Sequence, residues 1–174
     1  MPLNLISEKI IGAGASGPVR LIERRCSGEH FVLKILPDTP TARRGIELQF
    51  MASQHPNILP IVDVYENLFR GHPCLFIVTE YMSGGTLLER IKFGQIIVTE
   101  REVVRMIRDL GSAIEYLHSL GIIHHNIKLE NVLYSKNGIL KLADFGMAEI
   151  EREPLDKAPS YASLTSCAIE ANLV

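Results

Sequence analysis

The chain has few cysteines and almost no net charge. Its three cysteines, Cys26, Cys74 and Cys167, are odd in number and widely spaced, so they form neither a disulfide framework nor a CxxC metal site. The 18 Lys and Arg residues nearly balance the 20 Asp and Glu residues, which leaves a net charge of -2. We therefore expect a reducing compartment. The balanced charge gives no electrostatic reason to expect nucleic acid or a membrane as a partner.

The chain also lacks a long hydrophobic run. The densest apolar run, at residues 74–78, has the length of a strand and is far too short to span a membrane. The first eight residues contain neither the basic region nor the long apolar region of a secretory signal. These absences predict a soluble intracellular protein, which we expect in the cytoplasm, with the nucleus as the alternative.

The composition that is present is typical of a folded globular chain. Of the 174 residues, 47% are hydrophobic and 22% are charged, which excludes an intrinsically disordered protein. The length suits one domain with a sizeable core rather than two comfortable ones.

The first 80 residues have the pattern of strands. Branched and apolar residues predict strands at 5–11, 18–24, 31–36, 58–65 and 74–80, with a glycine-rich turn at 12–17 after the first strand. Thr39 and Pro40 have the residue types of a helix N-cap and first helical position, and they predict a helix that runs toward Ser53. The first half is therefore expected to contain five strands and one helix.

The composition changes after residue 80 from strand-like to helix-like. Residues 81–86 are typical of a short glycine-containing connector, and a short helix is predicted after it. Thr99 and Glu102 predict a capping box that opens a long helix, and Gly121 is suited to end it. The apolar residues of this helix lie on more than one face, so we expect cover on more than one side. Its main stripe contains Val103, Ile107, Leu110, Ile114 and Leu117.

Three glycines at the end of the first strand allow several interpretations. Gly12, Gly14 and Gly17 have the spacing of a loop whose backbone amides approach phosphate oxygens, but an ordinary tight hairpin has the same spacing. A dinucleotide-binding fingerprint is the third interpretation, and it requires a helix directly after the glycines. Residues 18–22 look instead like a returning strand, which disfavours that interpretation.

Further motifs follow the glycines in a fixed order. Lys34 lies near the end of a predicted strand, residues 124–131 read HHNIKLEN, and residues 144–146 read DFG. Asn137-Gly138 lies between two short apolar runs and predicts a β-hairpin. This hairpin would bring Asn131 and Asp144 together, and their oxygens are ligands suited to Mg²⁺.

This ordered set resembles the signature motifs of the eukaryotic protein kinases. The segments at 42–44, 61–68, 99–102 and 116–119 resemble more closely the MAP-kinase-activated protein kinases, which belong to the calmodulin-dependent-kinase branch. Lys128 in the catalytic loop is similar to the lysine of Ser/Thr kinases rather than Tyr kinases. The resemblance covers residues 5–149, which is nearly the whole patterned chain.

The resemblance implies an α+β, bilobal fold. We expect a complete N-lobe at residues 1–80, built of a five-stranded antiparallel sheet and one helix. A hinge at 81–86 would lead to a partial, mostly helical C-lobe at 87–149. The polar tail at 150–174 is expected to be flexible. The chain stops after DFG without an APE motif, which predicts a kinase-like chain with an incomplete C-lobe.

The resemblance also implies ATP and Mg²⁺ as ligands. Lys34 would hold the α- and β-phosphates, Lys128 would steady the transferring phosphoryl group, and Asn131 and Asp144 would bind Mg²⁺. The residues expected to surround the nucleotide are Ile11, Gly12, Ala13, Gly14, Ala15, Ser16, Gly17, Pro18 and Val19 over the phosphates and adenine, Val32 above adenine, Thr79 as gatekeeper, the hinge backbone from Glu80 to Met82, and Leu133 below adenine.

Three residues depart from the family pattern. Asn126 stands where the family has the aspartate that accepts the substrate hydroxyl's proton, and an amide has no useful basicity. Gly45 stands where the family has the helix glutamate that pairs with the strand lysine. Glu47 lies roughly 200° further around the helix, so we expect it to point away from Lys34 unless the register slips. Val32 replaces a smaller alanine.

These departures leave three hypotheses about function. The favoured one is a Ser/Thr-type pseudokinase that binds ATP and has impaired or lost phosphoryl transfer. The second is a non-enzymatic module in which the small lobe docks on, or competes with, an active kinase. Through the exposed partial C-lobe we also expect a protein partner, which would be an active kinase or a chaperone. The third is a truncated fragment without function. His118, His124 and His125 lack tight metal-ligand spacing, so we expect structural roles for them.

Overall fold

The computed structural model describes residues 5–14, 17–94 and 99–151. Ala15, Ser16 and nearly all of the predicted polar tail therefore lie outside the described residues. None of the helices in these ranges has both the length and the apolar character that crossing a lipid bilayer requires.

The first half of the chain forms one antiparallel sheet with one helix. The strands are β1 (Leu5–Gly14), β2 (Gly17–Arg24), β3 (Glu29–Pro37), β4 (Ile61–Phe69) and β5 (His72–Glu80), in the spatial order β1-β2-β3-β5-β4. The helix α1 (Pro40–Ala52) connects β3 to β4. The predicted five-stranded antiparallel sheet with one helix is therefore confirmed.

Two predicted boundaries in this sheet were wrong. Strand β4 covers 61–69 instead of 58–65, because Ile58 and Leu59 are buried against the second half of the chain. The predicted glycine-rich turn at 12–17 is also shorter than expected, because part of it is paired strand. Strands β1 and β2 stay paired as far as Gly14 and Gly17, because the backbone of these glycines continues the ladder.

The helix α1 begins as its sequence predicts. Pro40 occupies the first turn, and the Thr39 hydroxyl accepts a hydrogen bond from the Ala42 amide at 3.1 Å. Such a cap satisfies an amide that has no partner inside the helix. Gly45, Leu48 and Ala52 are the buried residues of α1, so one side of the helix faces the rest of the molecule.

The second half of the chain is a mostly helical unit with short strands. It contains α2 (Leu87–Lys92), α3 (Glu100–Ser119), β6 (Ile122–Ile123), a 3-10 turn (Leu129–Asn131), β7 (Val132–Tyr134), β8 (Leu140–Leu142) and β9 (Glu149–Ile150). Strands β7 and β8 form the hairpin that Asn137-Gly138 predicts, and β6 pairs with β9. Gly121 follows α3 with a φ of 67°, the left-handed conformation that ends a helix.

The complete capping box lies at α2 rather than at α3. The Thr86 hydroxyl accepts from the Glu89 amide at 3.0 Å, and the Glu89 carboxylate accepts from the Thr86 amide at 2.8 Å. At α3 the structure shows the first half of the predicted box, a 3.3 Å bond from the Glu102 amide to the Thr99 hydroxyl.

Within the part of the chain that the structure describes, one side of α3 packs against the core. Ala113 and Leu117 are buried, and Met106, Leu110, Tyr116 and Leu120 pack against the same cluster. Ile107 is 66% exposed and Val104 is 49% exposed. The stripe predicted through Ile107 was therefore wrong in part, since Met106, Ala113 and Tyr116, which lie off that stripe, pack against the core instead.

Backbone hydrogen bonds attach the helical unit to the α1–β4 segment and to the 81–86 connector, at two places that we call the rear seam and the front seam. At the rear seam, Leu142 donates to Asn57 at 2.8 Å, and Leu59 donates to Leu142 at 2.9 Å. At the front seam, Gly84 donates to Tyr134 and Tyr134 donates to Gly85, each at 2.9 Å. A Cβ atom at Gly84 would lie 2.7 Å from the Tyr134 carbonyl oxygen, so only glycine fits there.

Candidate functional site

A cleft of about 690 Å³ lies between the sheet and the helical unit. Its lining includes most of the site residues predicted from the sequence. These are Ile11, Gly12, Val19, Val32, Lys34, Thr79, Glu80, Met82, Lys128, Asn131, Leu133 and Asp144. Ala13, Gly14, Gly17 and Pro18 lie at the paired ends of β1 and β2. Residues more than 100 positions apart are therefore brought to one concave surface.

The floor of the cleft is apolar and joins both halves of the chain. Leu59, Met82 and Ala143 form a buried cluster, and Leu133 packs against it. At the edge of the floor, the Lys141 ammonium lies 3.1 Å from a Glu80 carboxylate oxygen. An apolar floor beside the backbone of residues 80–82 is suited to an apolar ring.

The polar end of the cleft is organised around Asp144. The Lys34 ammonium lies 3.1 Å from Asp144 Oδ1, and the Asn126 side-chain amide donates to Asp144 Oδ2 at 3.1 Å. The Asn131 side-chain amide donates to the Asn126 carbonyl at 2.8 Å. The structure thus connects Lys34, Asp144, Asn126 and Asn131 in one continuous chain of contacts.

The backbone around this network adopts uncommon conformations. Asp144 has a φ of 66° and His125 has a φ of 57°, and both are non-glycine residues in the left-handed region. Each such residue costs on the order of 1–3 kcal/mol, and it persists only where the surrounding contacts impose it. Strain of this kind concentrates at functional sites, and here it flanks the hydrogen bond between Asn126 and Asp144.

The helix α1 contributes backbone rather than charge to the polar end. Gly45 is buried, and a Cβ atom there would lie 2.7 Å from the Phe145 carbonyl oxygen. Glu47 is exposed, and it lines a separate cleft of about 440 Å³ with Arg43 and Arg44. The ion-pair partner that the structure shows for Lys34 is therefore Asp144.

Sequence reasoning missed several lining residues. Glu89 lines the cleft beside Thr86, and the Thr-x-x-Glu spacing of a capping box was a readable signal for this pair. Four residues of α1 also line the cleft, and their spacing of three, one and three residues marks one helix face. They are Ala42, Gly45, Ile46 and Gln49.

His124 is buried and holds the backbone of the segment that carries Asn126. It is 3% exposed, its Nδ1 atom accepts from the Asn126 amide at 3.2 Å, and its ring meets Phe145 edge-on at 4.7 Å. Burial lowers the pKa of His124, which the backbone of Ala143 and the charge of Asp144 only partly offset. A neutral ring with an accepting Nδ1 suits the structural role expected for this residue.

The oxygen atoms at the polar end of the cleft are of the type that Mg²⁺ prefers as ligands. Asn131 uses its amide nitrogen to bind Asn126, which leaves its amide oxygen for a ligand. Asp144 adds a carboxylate beside the same cleft. Amide and carboxylate oxygens are hard ligands, so the two residues fit a magnesium ion.

Comparisons with known proteins agree with this arrangement. Residues 5–166 match the protein kinase domain family. MAP kinase-activated protein kinase 2 from Homo sapiens is 47% identical over 165 residues, which cover 92% of this chain and 40% of that protein. MAP kinase-activated protein kinase mak-1 from Caenorhabditis elegans is 43% identical over 159 residues, which cover 88% of this chain and 30% of that protein.

A third relative extends the same similarity. MAP kinase-activated protein kinase 2 from Drosophila melanogaster is 37% identical over 165 residues, which cover 92% of this chain and 44% of that protein. The chain therefore spans less than half the length of these relatives. Its sheet with one helix corresponds to a kinase N-lobe, and its helical unit corresponds to part of a kinase C-lobe. The chain belongs to the protein kinase domain family.

Proposed function

We propose that this chain is a Ser/Thr-kinase-like protein that binds ATP in the cleft and transfers phosphoryl groups very slowly or not at all. The observation that carries the proposal is the hydrogen bond of 3.1 Å from the Asn126 side-chain amide to Asp144. The position that would accept a proton from a substrate hydroxyl instead presents a donor to a carboxylate. Loss of general-base assistance typically costs about 10²–10⁴-fold in rate.

The binding half of the proposal assigns a part to each region of the cleft. The connector backbone from Glu80 to Met82 and the floor at Leu133 would hold adenine, with Val32 above and Thr79 behind it. Lys34 and Lys128, both on the cleft surface, would meet the phosphate charge. Asn131 and Asp144 would hold Mg²⁺, which when bound neutralises phosphate charge.

The transfer half follows from two residues that act on orientation. Asn126 cannot take the hydroxyl proton, and without a glutamate at position 45 Lys34 is oriented by Asp144 instead. Phosphoryl transfer depends mainly on positioning and charge, so the two defects reinforce each other.

Cys26 and Cys74 are free thiols, which supports a reducing compartment such as the cytoplasm.

The binding half is tested by thermal unfolding with ATP and Mg²⁺. Because a ligand stabilises the folded state that it binds, the midpoint should rise with millimolar nucleotide. The rise should shrink in Lys34→Met and should persist in Lys136→Met, a matched change at an exposed lysine on the β7–β8 turn. A folded chain that shows no rise contradicts nucleotide binding.

The transfer half is tested by phosphate incorporation into a basic Ser/Thr peptide. We expect incorporation at the level of the Lys34→Met variant. Robust incorporation by the unaltered chain that disappears in Lys34→Met would contradict the proposed impairment.

A second candidate function rests on a different observation. Ile107 and Val104 on α3 and Phe93 after α2 are large apolar residues that are exposed by 66%, 49% and 72%. Val104 and Ile107 lie three positions apart on one face of α3, and a contiguous exposed apolar patch is typical of a protein contact. We propose docking on a protein partner, such as an active kinase or a chaperone, as the alternative to nucleotide binding. Gel filtration with a dye for apolar surface tests it, since a monodisperse monomer that binds no dye contradicts it.

A further inference from the structure

Both carboxylate oxygens of Asp144 already bind protein donors. Lys34 Nζ lies 3.1 Å from Oδ1, and Asn126 Nδ2 lies 3.1 Å from Oδ2. One ammonium group therefore offsets the charge of this carboxylate, and one neutral amide donates a hydrogen bond to it. The hydrogen atoms of the amide carry partial positive charge, so they weaken the attraction of that oxygen for a cation, although a second lone pair remains on it.

The chemistry of its neighbour allows one orientation of the Asn126 side-chain amide. An asparagine amide has an acceptor oxygen and a donor nitrogen, and only the nitrogen can face a carboxylate at 3.1 Å. The backbone of Asn126 is held on both sides, because its amide donates to His124 Nδ1 at 3.2 Å and its carbonyl accepts from Asn131 at 2.8 Å. The side chain therefore starts from a backbone that is itself hydrogen-bonded.

An aspartate at position 126 would produce the opposite electrostatics. Two carboxylates would then face each other across a hydrogen-bond distance, and like charges that close repel strongly. A divalent cation relieves this repulsion, which gives the metal a driving force. The amide of Asn126 removes one unit of negative charge and with it that driving force.

We propose that Asn126 is a positioning residue that holds Asp144 against Lys34 and makes nucleotide binding in this cleft nearly independent of Mg²⁺. The nucleotide part of this inference rests on the proposed function. Among the described residues, Lys34 and Lys128 are the lysines that line the cleft, and both would meet the phosphate charge. The Lys34 ammonium has three donor hydrogens, so it can bind Asp144 and a phosphate oxygen together. Asn131 and Asp144 remain able to contact a metal ion, but the ion adds little to binding.

The experiment compares ATP affinity in millimolar Mg²⁺ with ATP affinity in EDTA, measured by calorimetry. The unaltered chain should bind ATP with affinities that agree within about threefold between the two conditions. Asn126→Asp should bind ATP more weakly in EDTA, and its ATP affinity should rise at least about tenfold in Mg²⁺. A unit charge within hydrogen-bond distance of Asp144 changes affinity about tenfold or more. A gain of that size in the unaltered chain overturns the proposal.

Two further variants separate the amide from general effects of charge. Asn126→Ala removes the donor without adding charge, and it should show a Mg²⁺ gain between those of the other two proteins. Asn137→Asp makes the same substitution at an exposed position of the β7–β8 turn, and it should behave like the unaltered chain. If Asn137→Asp gains as much from Mg²⁺ as Asn126→Asp, the effect is not local and the proposal is wrong.

A titration with Mg²⁺ alone keeps this inference separate from nucleotide binding. Millimolar Mg²⁺ should leave the unfolding midpoint of the unaltered chain unchanged and should raise that of Asn126→Asp. Equal rises in both proteins overturn the inference, whether or not ATP binds. Absence of ATP binding in both buffers, with a rise confined to Asn126→Asp, contradicts the proposed function and supports the role of Asn126.

Discussion

A single methyl group added at Gly45 tests how closely α1 approaches the DFG segment. A Cβ atom at this position would lie 2.7 Å from the Phe145 carbonyl oxygen, 3.3 Å from its carbon and 3.4 Å from Gly146 Cα. All three are backbone atoms, which cannot rotate away as the end of a side chain can. Gly45→Ala therefore requires α1 and residues 145–146 to move apart, because real Cβ atoms essentially never lie within 3.0 Å of such a non-bonded atom.

The magnitude follows from two opposing effects. Alanine is favoured over glycine inside a helix by about 1 kcal/mol, which stabilises the variant. Overpacking of a close-fitting contact costs about 1–3 kcal/mol. The net change for Gly45→Ala is thus expected to lie between about zero and 2 kcal/mol of destabilisation.

The chain offers a matched control in the other long helix. Gly111 lies inside α3, and a Cβ atom there would meet no atom within 4 Å. Gly111→Ala should therefore stabilise the protein by about 0.4–1 kcal/mol. Denaturant unfolding of both variants gives the comparison directly. If Gly45→Ala is stabilised as much as Gly111→Ala, the close approach of α1 to Phe145 is wrong.

Three other substitutions test the core, a helix cap and a half-buried histidine. Leu117→Ala should lower the free energy of unfolding by about 2–5 kcal/mol, whereas Ile107→Ala should change it by no more than about 0.5 kcal/mol. Similar losses in the two variants would contradict the packed face of α3. Thr86→Ala should lose about 1 kcal/mol by denaturant unfolding, because it removes the α2 cap, and an unchanged midpoint would count against that cap. Burial lowers the pKa of His55 from 6.5, so the unfolded chain binds more protons and stability should fall as the pH drops through and below 6.5. Unfolding midpoints between about pH 7.5 and 5.5 should vary less in His55→Phe than in His72→Phe, an exposed control, and equal slopes would refute this assignment.

Local signals in the sequence predicted the start of α1, the end of α3 and the β7–β8 hairpin. Thr39-Pro40, Gly121 and Asn137-Gly138 act through their own backbone conformations, so the neighbouring residues contain the necessary information. The signals were weaker where a segment binds a distant one. Residues 58–59 look like a strand because they are apolar, yet their cover comes from residues near 142.

The contacts that distinguish the site lie beyond the reach of sequence periodicity. Gly45 looks like a defect in a helix, and its advantage appears only against Phe145, which lies 100 positions away in the chain. The heptad-like spacing of α3 predicts apolar faces but does not say which face has a neighbour. Asn126 and Asp144 were both assigned to the site, but the direction in which the amide faces depends on three-dimensional placement.

The two seams described above also determine how the sheet and the helical unit can move against each other. Each seam is a pair of backbone hydrogen bonds, one pair near Leu142 and the other at Tyr134. Two fixed points define a line, and rotation about that line is the large relative motion that leaves both pairs of bonds intact. The line through the two seams is therefore the hinge axis that these hydrogen bonds define. A rotation about this line would carry the β1–β2 end of the sheet toward or away from Asp144 and would leave the apolar floor of Leu59, Met82 and Ala143 nearly in place.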